Sequence, residues 1–327
     1  MAIKALQRSA IGPARVFEVA PDVACLELPI VNVCFVGERR AGDRGWVLVD
    51  TGMPTSGHAI VREAERRFGP GARPSAIVLT HGHFDHAGSV RSLAERWDVP
   101  VYAHRLEAPY LTGRSDYPPA DPTVGGGAMA RVASRFFPRS PIDLGHRLRL
   151  LNEDGSLLGM DGWRWLHTPG HTPGHVSLFR DEDRVLIAGD AFVTMRQESL
   201  ISVLTRRQEV SRPPAYFTPD WESSRASVQE LARLDPAIAA TGHGIPMFGT
   251  RLHSELEALA RYFDDEIPRH GRYVDQPALA DEGGVVRVPP RVFDPLPPLV
   301  LSLGVLAILG TKLLRGAQAR RPVLLRG

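Results

Sequence analysis

The chain has 327 residues, 43% of them hydrophobic and 23% charged, and a formal net charge of +2 at pH 7. This composition is typical of a globular protein with one large or two small domains, and it gives no support for nucleic-acid binding or an acidic partner. The two cysteines, Cys25 and Cys34, are too few for a disulfide framework, so we expect packed thiols and a reducing compartment. Residues 1–8 lack the apolar core of a secretory signal, which favours a cytoplasmic protein.

Apolar and alternating stretches predict strands, and amphipathic stretches between them predict helices. The two kinds of element alternate along the chain, which is typical of an α/β fold. We predict strands at 14–20, 23–36, 46–49, 76–79, 99–103, 147–151, 162–166, 176–180, 184–188 and 237–240, and helices at 56–68, 89–97, 221–234 and 253–263.

Residues 105–143 show little periodicity, and we interpret this long insertion as a flexible lid, with a plain surface excursion as the alternative. The compact body is predicted to span residues 1–267. Residues 268–298 contain seven prolines and read as a linker.

The last segment, residues 299–327, is predicted to be an apolar helix followed by a basic tail. Cations beside an apolar helix suit an anionic membrane surface. A terminal helix docked on protein is the alternative, and both are left open. No feature of the sequence fixes an oligomeric state.

One stretch carries most of the chemistry. His81, His83, Asp85 and His86 follow the predicted strand 76–79 within six residues. Neutral imidazoles and a carboxylate form the ligand set that suits zinc and neighbouring transition metals. We therefore predict a metal site on this turn.

Further side chains of the same kind stand just beyond other predicted strands: Asp50, His171, Asp190 and His243. In layered α/β folds, residues beyond the carboxyl ends of strands gather at one edge, where ligands bind. The candidate ligands are too many for one tetrahedral ion and suit two metals that share a carboxylate. They are His81, His83, Asp85, His86, His171, Asp190 and His243.

At these residues the sequence resembles the metallo-β-lactamase superfamily. The Thr-Pro-Gly-His repeat at 168–175 looks closest to the glyoxalase II and lactonase-like branch. The resemblance implies an α/β fold that is a four-layer αββα sandwich. The matching motifs, in chain order, are Val49-Asp50-Thr51-Gly52, His81-x-His83-x-Asp85-His86, Pro169-Gly170-His171, Gly189-Asp190 and Thr241-Gly242-His243-Gly244.

The resemblance also implies a role for each ligand. Two Zn²⁺ ions are expected, with Fe or Mn as alternatives, and Asp50 would orient a ligand imidazole. His81, His83 and His171 would hold one ion, Asp85, His86 and His243 the other, and Asp190 would bridge them.

The expected function is a binuclear metal-dependent hydrolase in which a metal-bridging hydroxide attacks the carbonyl of a small thioester, ester or lactone. Asp85 is the candidate proton shuttle. The chain has no lysine between Lys4 and Lys312 to bind the carboxylate of a β-lactam, so we do not expect that substrate. The alternatives are an iron-dependent oxidoreductase on the same fold, and a phosphodiesterase or nuclease. We expect a small-molecule substrate and no nucleic acid.

Overall fold

The computed structural model describes residues 15–125, 133–198, 202 and 205–292. The chain divides into two compact units, residues 1–291 and 292–327. All the elements below lie in the first unit. The predicted apolar helix and basic tail at 299–327 lie outside the described residues.

A first sheet contains seven strands in sequence order. Its first four strands form an antiparallel meander, and the strands from the fourth onward are parallel. The strands are β1 (Arg15–Ala20), β2 (Val23–Glu27), β3 (Asn32–Val36), β4 (Val47–Val49), β5 (Ala76–Val78), β6 (Val101–Ala103) and β7 (Leu148–Leu150).

A second sheet contains five strands, which lie in the reverse of their order along the chain. The third and fourth of them along the chain pair in parallel, and the other three pairs are antiparallel. A separate hairpin follows near the end of the described chain. The strands are β8 (Trp163–His167), β9 (Val176–Arg180), β10 (Val185–Gly189), β11 (Ile238–Thr241) and β12 (Met247–Phe248), and the hairpin is β13 (Leu279–Asp281) with β14 (Gly284–Arg287).

The longer helices are amphipathic, and each buries one apolar stripe. In the helix Trp221–Arg233, for example, Val228 and Leu231 are fully buried one turn apart. The helices are α1 (Gly57–Phe68), α2 (Val90–Trp97), α3 (Ala108–Leu111), α4 (Trp221–Arg233), α5 (Gly249–Arg261) and α6 (Phe263–Glu266).

Three clusters of buried apolar side chains separate four layers. One joins α1 and α2 to the outer face of the first sheet. A second lies between the two sheets, where Val49 and Val78 of one sheet share a core with Leu178 and Ile187 of the other. The third joins α4 and α5 to the second sheet. The predicted αββα sandwich is confirmed, because each sheet buries one face against the other sheet and one against helices.

The two cysteines are packed in the core as predicted, but the expectation that they are free thiols was wrong. Residues 23–36 form a hairpin, β2 and β3, rather than one continuous strand, and its register places Cys25 directly opposite Cys34. The two residues form a disulfide inside the core between the sheets. The two cysteines, nine residues apart in the sequence, are therefore a disulfide-bonded pair across two neighbouring strands.

The compact body continues past residue 267. Tyr273 is buried in the third core cluster, and the hairpin β13–β14 is anchored by a hydrogen bond from Val285 N to Ser115 Oγ. Part of the segment predicted as a linker is thus packed structure. The described part of 105–143 is also packed rather than a plain excursion, since Tyr110 and Tyr117 are buried and stack on each other.

Among the residues that the structure describes, no helix combines the length and the apolar character needed to cross a membrane. The membrane contact predicted for 299–327 stays a prediction.

An ion pair joins the two sheets. Arg180 on β9 is only 9% exposed, and it donates to Asp22, in the turn between β1 and β2, and to Asp183. Its guanidinium also lies 4.9 Å from the ring centroid of Trp163. Burial raises the pKa of Asp22, but the hydrogen bonds and charge of Arg180 outweigh it and leave this pKa below 3.8.

We expect Asp22→Asn to lower the free energy of unfolding at neutral pH by about 1 kcal/mol, the upper end for a partly exposed pair. Because the folded-state pKa is depressed, the stabilisation exists above the unfolded value of 3.8 and disappears as the pH falls further. Urea denaturation at several pH values measures it, with the exposed Asp161→Asn as control. A difference that does not shrink in acid would contradict the assignment to this ion pair.

Candidate metal centre

The loops that follow β4, β5, β8, β10 and β11 meet at one edge of the sandwich. Strands β4 and β5 are parallel, and β8, β10 and β11 also run in one direction, so their carboxyl ends lie together. The backbone closes this edge where Val176 N, at the start of β9, donates to Thr80 O at 2.9 Å. The candidate ligands are therefore delivered by loops from both sheets.

Three imidazoles form the first group. His83 Nδ1 lies 3.1 Å from His81 Nε2 and 2.9 Å from His171 Nε2. All three side chains are buried. The ring nitrogens thus converge on one point although His171 is 88 residues from His83.

The second group contains Asp85, His86 and His243. His243 Nε2 lies 3.6 Å from Asp85 Oδ2. Asp190 stands between the groups, because its Oδ2 lies 3.0 Å from His243 Nε2 and 3.5 Å from His171 Nε2. Its other oxygen lies 3.5 Å from His86 Nε2.

These distances fit metal coordination. Nitrogen or oxygen ligands ~2.1 Å from a tetrahedral ion lie roughly 3.4 Å from one another. The six nitrogen and oxygen pairs given above lie between 2.9 and 3.6 Å apart. In addition, His86 Nε2 and Asp190 Oδ1 are buried without a hydrogen-bond partner, a state that a cation would relieve. The residues present therefore fit two divalent ions that share Asp190.

The electrostatics separate the two groups. Burial, together with the neighbouring imidazoles, holds the pKa of His81 and His171 well below the ordinary value and lowers that of His83 to about 3. Burial acts in the same direction on His86 and His243, but Asp190 outweighs it and raises both pKa values. The first group is thus held neutral, which is the form of imidazole that binds metals.

The structure brings together all seven predicted ligands, and besides the two groups above, His81, His86 and Asp190 also lie close enough to share an ion. The assignment of these residues to two ions stays a prediction. Comparison with known proteins points the same way. The profile of the Metallo-beta-lactamase superfamily matches residues 20–243. The chain belongs to the metallo-β-lactamase superfamily.

Individual relatives agree with this membership. The chain is 50% identical over 244 residues to "Probable metallo-hydrolase YflN" of Bacillus subtilis (strain 168), covering 75% of this chain and 92% of the relative. It is 31% identical over 117 residues to "Hydroxyacylglutathione hydrolase GloC" of Haemophilus influenzae, covering 35% and 48%. Among solved structures, a beta-lactamase domain protein from Burkholderia ambifaria superimposes with a TM-score of 0.55 at 22% identity, covering 79% of each chain. The last likeness concerns the fold.

Two further residues, Asp50 and His175, contact the candidate ligands from outside the cluster. Asp50 Oδ2 lies 2.8 Å from His86 Nδ1, and the Asp50 carboxylate also accepts hydrogen bonds from Thr80. His175 uses both ring nitrogens, one toward Thr168 Oγ1 and one toward Asp190 N. Asp50 therefore orients a ligand imidazole, and His175 supports the cluster rather than joining it.

The loop that carries His243 is held from the opposite sheet. Asn32, at the start of β3, donates through its side chain to Thr241 O and Gly244 O at 2.9 and 2.6 Å. Position 242 must be glycine, because a Cβ there would lie 2.0 Å from Asp190 Oδ1. This close approach lets the backbone pass directly beside the shared carboxylate.

Sequence reasoning missed Glu107. This fully buried carboxylate accepts from Gly82 N at 2.9 Å, Thr172 Oγ1 at 2.7 Å and Gly174 N at 2.9 Å. Tyr117 Oη donates to it as well. Gly82 lies between His81 and His83. Thr172 and Gly174 follow His171 in the same loop. One carboxylate thus joins the two loops that supply the first group.

No motif marks Glu107, since it lies in an apolar stretch more than twenty residues from any ligand it positions. The available signal was the glycine pattern. A Cβ at Gly82 would lie 2.6 Å from Tyr117 Oη, and one at Gly174 would lie 2.7 Å from Glu107 N. Glycines beside metal ligands indicate that another segment packs closely there.

We expect Glu107→Gln to weaken metal binding about 10- to 100-fold, the usual effect of losing a partner that orients a ligand. Glu107→Ala should also destabilise the fold by about 3 kcal/mol or more, because several buried donors lose their acceptor. Chelator competition measures the first effect and denaturation the second.

The exposed Glu95→Ala serves as the matched control and should change stability by no more than about 0.5 kcal/mol. Unchanged metal affinity in Glu107→Gln would show that this carboxylate does not set the ligand geometry.

Proposed function

We propose that the chain is a binuclear metal-dependent hydrolase that cleaves a small thioester, ester or lactone. The observation that carries this proposal is the position of Asp190 Oδ2, within 3.5 Å of both His171 and His243. A carboxylate oxygen shared by two ligand groups is the arrangement of two-metal hydrolytic sites.

The donor set favours zinc. The proposed ligands are five imidazoles and two carboxylates, which suit Zn²⁺, with Fe and Mn as alternatives. The first group would hold one ion, the second group the other, and Asp190 would contact both. When bound, two such ions supply a water of lowered pKa and polarise a substrate carbonyl.

Asp85 is the proposed proton carrier. It lines the cavity above the cluster, and its Oδ2 faces His243. From there its carboxylate can accept a proton from the attacking water and return it to the leaving thiolate or alkoxide. His171 and His83 line the same cavity and would help to hold the ion of the first group, which would supply polarisation of the substrate carbonyl.

The names of the relatives support hydrolysis. YflN is named a probable metallo-hydrolase, and GloC is named for hydrolysis of an acylated glutathione. Carried to this chain, the name of YflN supports metal-dependent hydrolysis, and the name of GloC favours a substrate with an acyl carbonyl.

A second candidate follows from the second ligand group. Two histidines and one carboxylate, here His86, His243 and Asp85, also form the set that binds non-haem Fe(II). An iron-dependent oxidoreductase on this fold would contain iron in the protein as isolated and would consume oxygen. Elemental analysis combined with oxygen-uptake measurements separates the two candidates.

We expect Asp190→Ala to lose both ions and to lower kcat/KM by more than the ~100-fold typical of an outer ligand partner. Mass spectrometry of the metals and a thioester assay measure the two effects. The control is Asp181→Ala, an exposed carboxylate paired with Arg164. Full activity in a variant that holds a single ion would refute the binuclear assignment, and full activity with both ions retained would remove Asp190 as their shared ligand.

Asp85→Asn keeps the size of the side chain but removes its proton-accepting carboxylate. We expect kcat to fall by about 10²- to 10⁴-fold, the usual contribution of a general acid–base group. Metal content is measured alongside, so that loss of an ion is distinguished from loss of proton transfer. A normal kcat with both ions present would remove Asp85 from the mechanism.

A further inference from the structure

A cavity lies directly over the ligand cluster, and its lining has two chemical characters. Ligand side chains, among them His83, Asp85 and Asp190, form one side. The remainder is mostly apolar and aromatic, and it is supplied by Ile30, Phe84, Phe137, Met195, Tyr216 and Phe217.

The aromatic residues form a continuous wall. The Phe137 ring stacks on Phe84 at a centroid distance of 5.3 Å and packs against Phe217 at 5.7 Å. Phe217 in turn lies 4.8 Å from the ring of His83. The wall therefore reaches from the rim of the cavity to the first ligand group, so that a group attached to a reacting carbonyl would lie along it.

The polar groups of the wall carry no positive charge. Among the described residues that line the cavity, none is lysine or arginine. Gln197 contributes a neutral amide whose Oε1 is buried without a hydrogen-bond partner. The nearby Arg212 donates instead to Glu198 Oε1 at 2.7 Å. An anionic substituent that lies along the wall, away from the proposed ions, would lose its hydration without a lysine or arginine to pair with.

We infer that the preferred substrates have a neutral, apolar acyl group and that Phe137 and Phe217 select it; this inference rests on the proposed hydrolase function. Apolar surface gains free energy by leaving water, whereas a carboxylate buried without a partner loses it. In the reaction, the water oxygen bonds to the acyl carbon, the carbon–sulfur bond breaks, and a proton of the water passes to the leaving sulfur. The products are a carboxylic acid with an apolar chain and a thiol.

The test uses thioesters of N-acetylcysteamine that differ only in the acyl group: acetyl, hexanoyl and adipoyl. Hexanoyl and adipoyl have the same chain length, but adipoyl ends in a carboxylate. With the metal-loaded full chain, we expect kcat/KM for hexanoyl to exceed that for acetyl and for adipoyl by about 10-fold or more. An adipoyl thioester cleaved as well as the hexanoyl one overturns the inference.

Variants assign the selectivity to the wall. Phe137 is half-buried, so its replacement leaves the core intact. We expect Phe137→Ala to lower kcat/KM for hexanoyl about 10-fold, through KM, and to lower that for acetyl much less. Phe137→Arg should raise the adipoyl-to-hexanoyl ratio by a similar factor. The exposed Phe248→Ala is the matched control. Equal losses for acetyl and hexanoyl in Phe137→Ala would show a structural rather than a selective role.

A binding experiment keeps this inference separate from the proposed function. Hydroxamates with hexanoyl and adipoyl chains are titrated calorimetrically, and we expect the hexanoyl compound to bind about 10-fold more tightly. Absence of hydrolysis of every thioester would refute thioester cleavage as the proposed reaction, while the hydroxamate preference would still stand as support for the apolar wall. Equal or tighter binding of the adipoyl compound would refute the inferred preference for apolar acyl groups and would leave the proposed hydrolase function standing.

Discussion

The structure depends on one buried carboxylate. Asp190 is 1% exposed and faces imidazoles from three different loops, those of His86, His171 and His243. Burial raises the pKa of Asp190, but His243 and His86 outweigh it and hold this pKa well below its ordinary value. Because a buried charge is costly without partners, every element that delivers one of these rings contributes to keeping Asp190 ionised.

The sandwich makes this convergence possible, but the strands alone do not set it. The strand ends bring the loops to one edge, and hydrogen bonds between loops then fix the side chains. The Asn32 side chain, in the first sheet, donates a hydrogen bond to Thr241 O at the loop after β11 of the second sheet. Glu107 accepts hydrogen bonds from the two loops that supply the first ligand group. A surrounding shell of this kind is what gives a metal ligand its orientation.

The sequence was sufficient to predict the cluster of histidines and carboxylates and most of the elements, because both follow local rules. His81 to His86 lie on one turn, and the strands are short apolar runs. The Cys25–Cys34 pair, Glu107 and the aromatic wall were not predictable in this way. Their roles arise from contacts between distant segments, as when Glu107 meets Gly174 across 67 residues, and no local pattern records such a contact.

The segment between β6 and β7 holds two kinds of residue. Glu107 and Tyr117 contact the ligand loops, whereas Phe137, later in the same segment, packs in the aromatic wall and lines the cavity. Retuning this protein toward another acyl chain by directed evolution is therefore best confined to the later part. Libraries that randomise residue 137 and its neighbours can explore new specificities, whereas libraries that reach back to residue 107 would trade each gain in recognition against loss of the catalyst itself.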